Sequence, residues 1–164
     1  MICENCGSSD IKATVIEGYK VDECEVCQQL HGDPESIESI LEIREAKELG
    51  IAPQIYPLHK ILQKVAGFCN EYSCSGFAQE KVPPYISFRV VDNGYKNLEK
   101  LAAEMVTINK ATNVHWILEA SYQRRLVFIL KPNFHHDPYH ISPEQISLAQ
   151  KDLAVIHEHL AGKI

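Results

Sequence analysis

Residues 3–27 read CENCGSSDIKATVIEGYKVDECEVC and carry a Cys-x-x-Cys pair at each end. Between the pairs, 11–17 and 19–23 are short β-prone runs, and Gly18 separates them. A glycine at this point suits a tight two-strand turn. The stretch therefore predicts a β-hairpin that joins two cysteine knuckles.

The spacing Cys-x2-Cys-x17-Cys-x2-Cys is typical of a four-cysteine zinc site, with Cys3, Cys6, Cys24 and Cys27 as ligands. Packing of buried thiols and a thiol–disulfide couple are the alternatives. A redox pair usually begins a helix beside a buried strand, which this segment does not offer. Four thiolates fill a tetrahedral site, so we expect one structural Zn²⁺ per chain.

Gly7 directly follows the first cysteine pair. With this residue and the four cysteines, residues 1–33 resemble the zinc-ribbon superfamily, whose first knuckle is typically Cys-x-x-Cys-Gly. The resemblance implies a hairpin fold held by a structural zinc ion. The second knuckle departs from the pattern, because Gln28 stands where a glycine is common.

The composition is that of a soluble globular protein, with 45% hydrophobic and 23% charged residues in 164. No apolar run approaches the roughly 18 residues that cross a bilayer, which predicts no membrane partner. The start MICENC has neither a basic nor an apolar signal segment, so we expect a cytoplasmic protein. Six cysteines in a reducing compartment favour metal or redox chemistry over disulfides.

The formal charge of −6 is unevenly distributed. Residues 1–50 hold four Lys/Arg and twelve Asp/Glu, a charge of −8, whereas 51–164 hold twelve and ten, a charge of +2. Within 1–33 the charge is −5, which opposes contact with phosphates. The ribbon is therefore expected to bind a protein partner with a basic patch, or to pack against its own C-terminal domain, rather than to bind nucleic acid. Self-association through the sheet of the later domain is the alternative to a protein partner.

The chain divides into a zinc ribbon at 1–33, a connecting helix and linker at 34–56, and an α+β domain at 57–164. Asp33 and Pro34 predict the start of the connecting helix. The Pro- and Gly-containing stretch 50–57 predicts a linker.

From Pro57 an apolar stripe at helical spacing continues to Tyr72 and predicts one long helix. Strands are predicted at 85–91, 114–122 and 125–131, with helices after the first and the last of them. The final helix begins with a capping box from Ser142 to Gln145. The order α-β-α-β-β-α predicts a two-layer domain with a roughly three-stranded sheet. The second face of this sheet is apolar enough that we expect the ribbon, the connecting helix or another subunit to pack on it.

Three further groups are weaker candidates for chemistry. The loop FHHDPYHISPEQ, 134–145, offers the metal-ligand types His135, His136, Asp137 and His140. Cys69 and Cys74 would form a second thiol pair, and Arg124 and Arg125, with Arg89 and Lys131, a modest anion site. The alternatives without chemistry are a solvated polar loop for the histidines, a packed Cys69 with an exposed Cys74, and solvated turn residues for the basic group.

No nucleophile–base order, Gly-rich phosphate loop or paired-carboxylate pattern is evident in the sequence. The first hypothesis is therefore a cytoplasmic zinc-binding protein that acts as a protein-interaction or ligand-binding module. The second is a small metal-assisted enzyme that uses the histidine loop, and the third is a nucleic-acid-binding regulator.

Overall fold

The computed structural model describes residues 1–122, 124–134 and 141–163. The chain forms two compact units, Met1–Gly50 and Ile51–Ile164. The boundaries predicted at residues 33 and 56 separate segments that we expect to fold on their own, and they remain predictions. Among the described helices, none combines the length and the apolar character needed to cross a bilayer.

The first unit contains a three-stranded antiparallel sheet in the order β1-β2-β3. Its strands are β1 (Ile11–Ile16), β2 (Tyr19–Cys24) and β3 (Leu30–His31). Glu17 and Gly18 join β1 to β2 with φ angles of 52° and 89°. Two successive positive φ angles make a type I′ turn, whose twist matches that of paired strands. The predicted β-hairpin is confirmed.

A single helix, α1 (Pro34–Glu48), completes the first unit. The Asp33 carboxylate accepts a hydrogen bond from the Ser36 backbone N–H at 2.9 Å and caps the helix. The buried core of the unit is small and consists of Val21, Leu30 and Ile40. So few apolar side chains supply little hydrophobic free energy for a segment of this length.

The described residues of the second unit form four strands and three helices. They are α2 (Tyr56–Lys64), β4 (Phe68–Cys74), β5 (Tyr85–Val90), α3 (Gly94–Ile108), β6 (Trp116–Tyr122), β7 (Leu126–Pro132) and α4 (Pro143–Leu160). The strands form an antiparallel sheet in the order β4-β5-β7-β6. Apolar side chains of all three helices share one core with the sheet, including Leu62, Leu101, Leu153, Phe88 and Trp116. The α+β class is confirmed.

The predicted three-stranded sheet and the order α-β-α-β-β-α are wrong, because the unit reads α-β-β-α-β-β-α. The helix predicted to reach Tyr72 ends at Lys64, and β4 follows. Gly67 has a φ of 83°, which breaks a helix. Beyond it, Phe68 stacks on Phe88 of β5 at a ring distance of 4.6 Å, so pairing with β5 overrides the helical spacing.

Two glycines let the chain approach itself before β4 and at the start of α3. A Cβ atom on Gly67 would lie 2.4 Å from the Gly94 Cα, and one on Gly94 would lie 2.6 Å from the Gly67 carbonyl oxygen. That same carbonyl oxygen accepts a hydrogen bond from the Val91 N–H at 2.8 Å. Neither position has space for a side chain.

A fully buried carboxylate fixes the connection between α3 and β6. Asp152 on α4 accepts hydrogen bonds from the Asn113 N–H at 2.7 Å and the Val114 N–H at 3.0 Å. It also accepts from the Asn113 side-chain amide at 2.7 Å and from the Trp116 indole N–H at 3.2 Å. Buried polar groups need hydrogen-bond partners. The Asp152 carboxylate therefore supplies the acceptors for N–H donors of this turn that would otherwise have none.

The predicted capping box at the start of α4 is confirmed. The Gln145 N–H donates to the Ser142 hydroxyl oxygen at 3.2 Å, and the Ser142 N–H donates to Gln145 Oε1 at 2.9 Å. These two bonds satisfy two backbone donors that a helix N-terminus would leave free.

Candidate metal centre

The four cysteines of the first unit converge on one point. The Sγ atoms of Cys3, Cys6, Cys24 and Cys27 all lie within 4.8 Å of one another, and two of the Sγ–Sγ distances, Cys3–Cys27 and Cys6–Cys24, are 3.5 Å. A disulfide needs about 2.05 Å. A zinc–thiolate bond of about 2.3 Å gives a tetrahedral sulfur–sulfur edge of about 3.8 Å. The spacing therefore fits a metal site and not a disulfide pair.

The two knuckles have the same backbone turn. The Cys3 carbonyl oxygen accepts from the Gly7 N–H at 2.8 Å, and the Cys24 carbonyl oxygen accepts from the Gln28 N–H at 2.8 Å. The N–H of the first cysteine in each knuckle donates to the residue five positions later, at 2.8 Å for Cys3 and 2.9 Å for Cys24. Each turn thus projects both of its thiols toward the other knuckle.

The residue after each cysteine pair adopts a left-handed conformation. The φ angle is 74° at Gly7 and 60° at Gln28. The departure of Gln28 from the zinc-ribbon pattern therefore leaves the turn unchanged. A side chain in this conformation costs about 1–2 kcal/mol that a glycine does not.

Backbone and side-chain donors reach the second sulfur of each knuckle. Hydrogen bonds from the Asn5 side chain and then from the Gln29 N–H lower the pKa of Cys27 to about 6. At Cys6 the Ser8 N–H lowers the pKa, but desolvation and the neighbouring thiols outweigh it and raise the pKa to about 12. Crowded thiols resist simultaneous ionisation, and a bound cation removes that opposition.

Burial differs within the group. Cys3 and Cys24 are buried at 1% and 0% exposure, Cys27 is half-buried and Cys6 is exposed. Cys24 ends β2 and pairs with Ile11 at the start of β1, so the hairpin sets its position. All six cysteines of the chain lie in the described ranges and are free thiols.

The second predicted cysteine pair does not join this centre. Cys69 and Cys74 lie near opposite ends of the extended strand β4, about 16 Å apart at roughly 3.3 Å per residue, so they do not form a thiol pair. His135, His136, Asp137 and His140 lie outside the described residues. Among the described residues, the four N-terminal cysteines are the group that offers metal-ligand atoms in close proximity.

We expect Gln28→Gly to tighten zinc binding. The substitution relieves about 1–2 kcal/mol of backbone strain and adds about 0.5–1 kcal/mol of unfolded-state entropy. The balance favours glycine by up to about 1.5 kcal/mol, or up to roughly tenfold in affinity. Competition with a chromophoric chelator measures this change.

The control for this variant is Gln29→Gly, because Gln29 has no positive φ and gains nothing from glycine. Its affinity should stay equal to that of the unmodified chain or fall. Equal affinities for both variants would show that other contacts of Gln28 offset the strain.

Comparison with known proteins finds no match: no family model fits the chain, and no curated protein or solved structure is significantly similar to it.

Proposed function

We propose that Cys3, Cys6, Cys24 and Cys27 hold one zinc ion with a structural role, and that the protein acts by binding another molecule rather than by catalysis. The observation that carries this proposal is the convergence of the four sulfurs from two matched turns. In this proposal residues 1–33 form a zinc ribbon. We further propose that the chain functions in a reducing compartment such as the cytoplasm, where thiolates persist.

The four thiolate donors support a zinc site without an open coordination position. Four thiolates in a tetrahedral arrangement select zinc or iron. When bound, the ion supplies cross-linking and charge neutralisation, and a four-thiolate shell leaves no place for water or a substrate. The two knuckles, linked by the ion, then stabilise the fold of the first unit in place of a larger apolar core.

The charge of the first unit supports a protein partner over nucleic acid. Residues 1–33 carry a formal −5, and a zinc ion with four thiolates adds about −2. Three basic side chains of the unit, Lys12, Arg44 and Lys47, each lie within 4.0 Å of a glutamate of the same unit. Phosphate binding relies on basic groups that displace counterions, so a partner with a basic patch fits this surface better.

Metal analysis of the purified chain tests the proposal. We expect about one zinc per chain, and a value close to zero for Cys24→Ser, which removes a fully buried ligand. Cys74→Ser is the matched control and should keep the metal, because Cys74 lies on β4 in the second unit.

Three outcomes would contradict this assignment. Iron in place of zinc would change the identity of the ion. Loss of the metal in Cys74→Ser would place the site elsewhere. A second equivalent that disappears on His136→Ala would favour the metal-assisted enzyme over a binding protein.

A further inference from the structure

A groove of about 820 Å³ lies on the face of the four-stranded sheet opposite the helices. Ser87 lines it, and the neighbours Ile86 and Phe88 on β5 belong to the core on the other face. Side chains alternate along a strand, which assigns the groove to the second face. The volume lies within the range of about 300–1,000 Å³ found for small-molecule sites.

A β-bulge shapes one wall of the groove. On β4, Asn70 pairs with Phe88 and Tyr72 pairs with Ser87, so Glu71 is an extra residue without a register partner. Glu71 and Tyr72 both line the groove. A regular strand would place consecutive side chains on opposite faces. Bulges that re-aim a side chain are common beside functional sites.

The groove has an excess of positive charge that is held in place. The Glu71 Oε1 atom accepts from Arg89 Nε at 2.6 Å and lies 2.8 Å from Arg125 Nη2. The Glu71 side chain is only 11% exposed, so the carboxylate that holds the two arginines is largely shielded from water. One carboxylate offsets one of the two arginines, and Arg124 adds a further cation to the lining. Arginine binds carboxylate, sulfonate and phosphate groups through paired N–H donors.

The rest of the lining combines apolar side chains with hydroxyl groups of serine and tyrosine residues, namely Ser87, Ser121, Tyr72 and Tyr85. Val127 and Ile129 of β7 are half-buried in its lining, and Tyr72, which is 68% exposed, lines the same groove. An apolar floor with a few fixed charged groups is the usual composition of a small-ligand site. The groove therefore offers an apolar surface and an anion-binding end.

We propose that this groove binds a small organic anion. Arg124 and Arg125 hold its acidic group, and its apolar or aromatic body lies against Val127, Ile129 and Tyr72. This inference deepens the proposed binding role of the protein by naming the ligand class. A second copy of the chain fits the groove less well, because a two-fold contact through this face would bring like-charged arginines together.

Titration of the zinc-loaded full chain with anilinonaphthalene sulfonate, an aromatic anion, tests the inference through the fluorescence of the dye. We expect one saturable site and about tenfold weaker binding for Arg124→Gln, because a charge-assisted hydrogen bond is lost. The matched control, Lys96→Gln, removes one positive charge from an exposed position of α3 and should bind as the unmodified chain does. The uncharged phenylnaphthylamine should bind at least about tenfold more weakly than the anion.

NMR amide shifts on addition of the dye identify the binding face, and we expect them in β4, β5 and β7. Equal affinity of Arg124→Gln and Lys96→Gln, binding that does not saturate, or shifts confined to other elements would each overturn the inference. A solution dimer that the dye dissociates would assign the face to a second copy instead. The zinc content of every variant is measured in parallel, so failure of the groove and failure of the zinc proposal are distinguishable.

Discussion

Removal of zinc is expected to unfold residues Met1–Gly50 while Ile51–Ile164 keeps its structure. The first unit has a buried core of only Val21, Leu30 and Ile40, and in the proposal above the metal supplies the rest of its stability. Zinc binding to such sites supplies about 10–16 kcal/mol, which far exceeds what so small a core provides. The described part of the second unit has a core that its helices and its sheet share, and it contains none of the four clustered cysteines.

Two-dimensional NMR of the chelator-treated chain measures this effect residue by residue. Amide signals of the first unit should collapse to the narrow range of an unfolded chain, and those of the second should not move. Cys24→Ser should give the same spectrum in the presence of zinc, and Cys74→Ser should give the spectrum of the folded protein. A single cooperative loss of both sets of signals would show that the units depend on each other.

Asp152→Ala is expected to lower the free energy of unfolding of the second unit by about 3–4 kcal/mol. The substitution leaves the Asn113 and Val114 backbone N–H groups, the Asn113 amide and the Trp116 indole without their acceptor. Each donor that is buried without a partner costs about 1 kcal/mol or more. The carboxylate lies at 0% exposure, so water does not replace it without local opening.

Urea unfolding followed by tryptophan fluorescence measures this loss, because Trp116 is the single tryptophan of the chain and lies in the second unit. Lys151→Ala changes the exposed neighbour on α4 and should leave the midpoint unchanged. Asp152→Asn keeps the volume but replaces one accepting oxygen by a donor, so it should also destabilise. A free energy of unfolding for Asp152→Ala within about 0.5 kcal/mol of that of the control would mean that the turn finds other acceptors.

The cysteine cluster was predictable from sequence because ligand chemistry and hairpin geometry are both local. The spacing alone brought together Cys3, Cys6, Cys24 and Cys27, and the caps at Asp33 and Ser142 followed from the same short-range rules. Strand β4 was not predictable in this way. Its apolar residues continue the helical spacing of α2, and its extended conformation depends on pairing with β5, which is distant in sequence.

The groove was only partly visible in the sequence. The sequence predicts a modest anion site from Arg124, Arg125, Arg89 and Lys131, and of these the groove lining contains Arg124 and Arg125. Lys131 pairs with Glu119 at 2.8 Å instead. Glu71 gave no signal, because the bulge that directs it into the groove exists only in the register between two strands. The spacing of apolar residues along the chain does not reveal a single residue inserted into the pairing of two strands.

The contact between Gly67 and Gly94 has a consequence for recognising distant relatives. The shortest contact of each Cβ would be with a backbone atom, so no compensating side-chain substitution elsewhere relieves the collision. A chain that adopts this arrangement must therefore keep both glycines even when its apolar residues have all been exchanged. The paired glycines, one before the first sheet strand of the domain and one opening its second helix, are thus a signature to search for when overall similarity has faded.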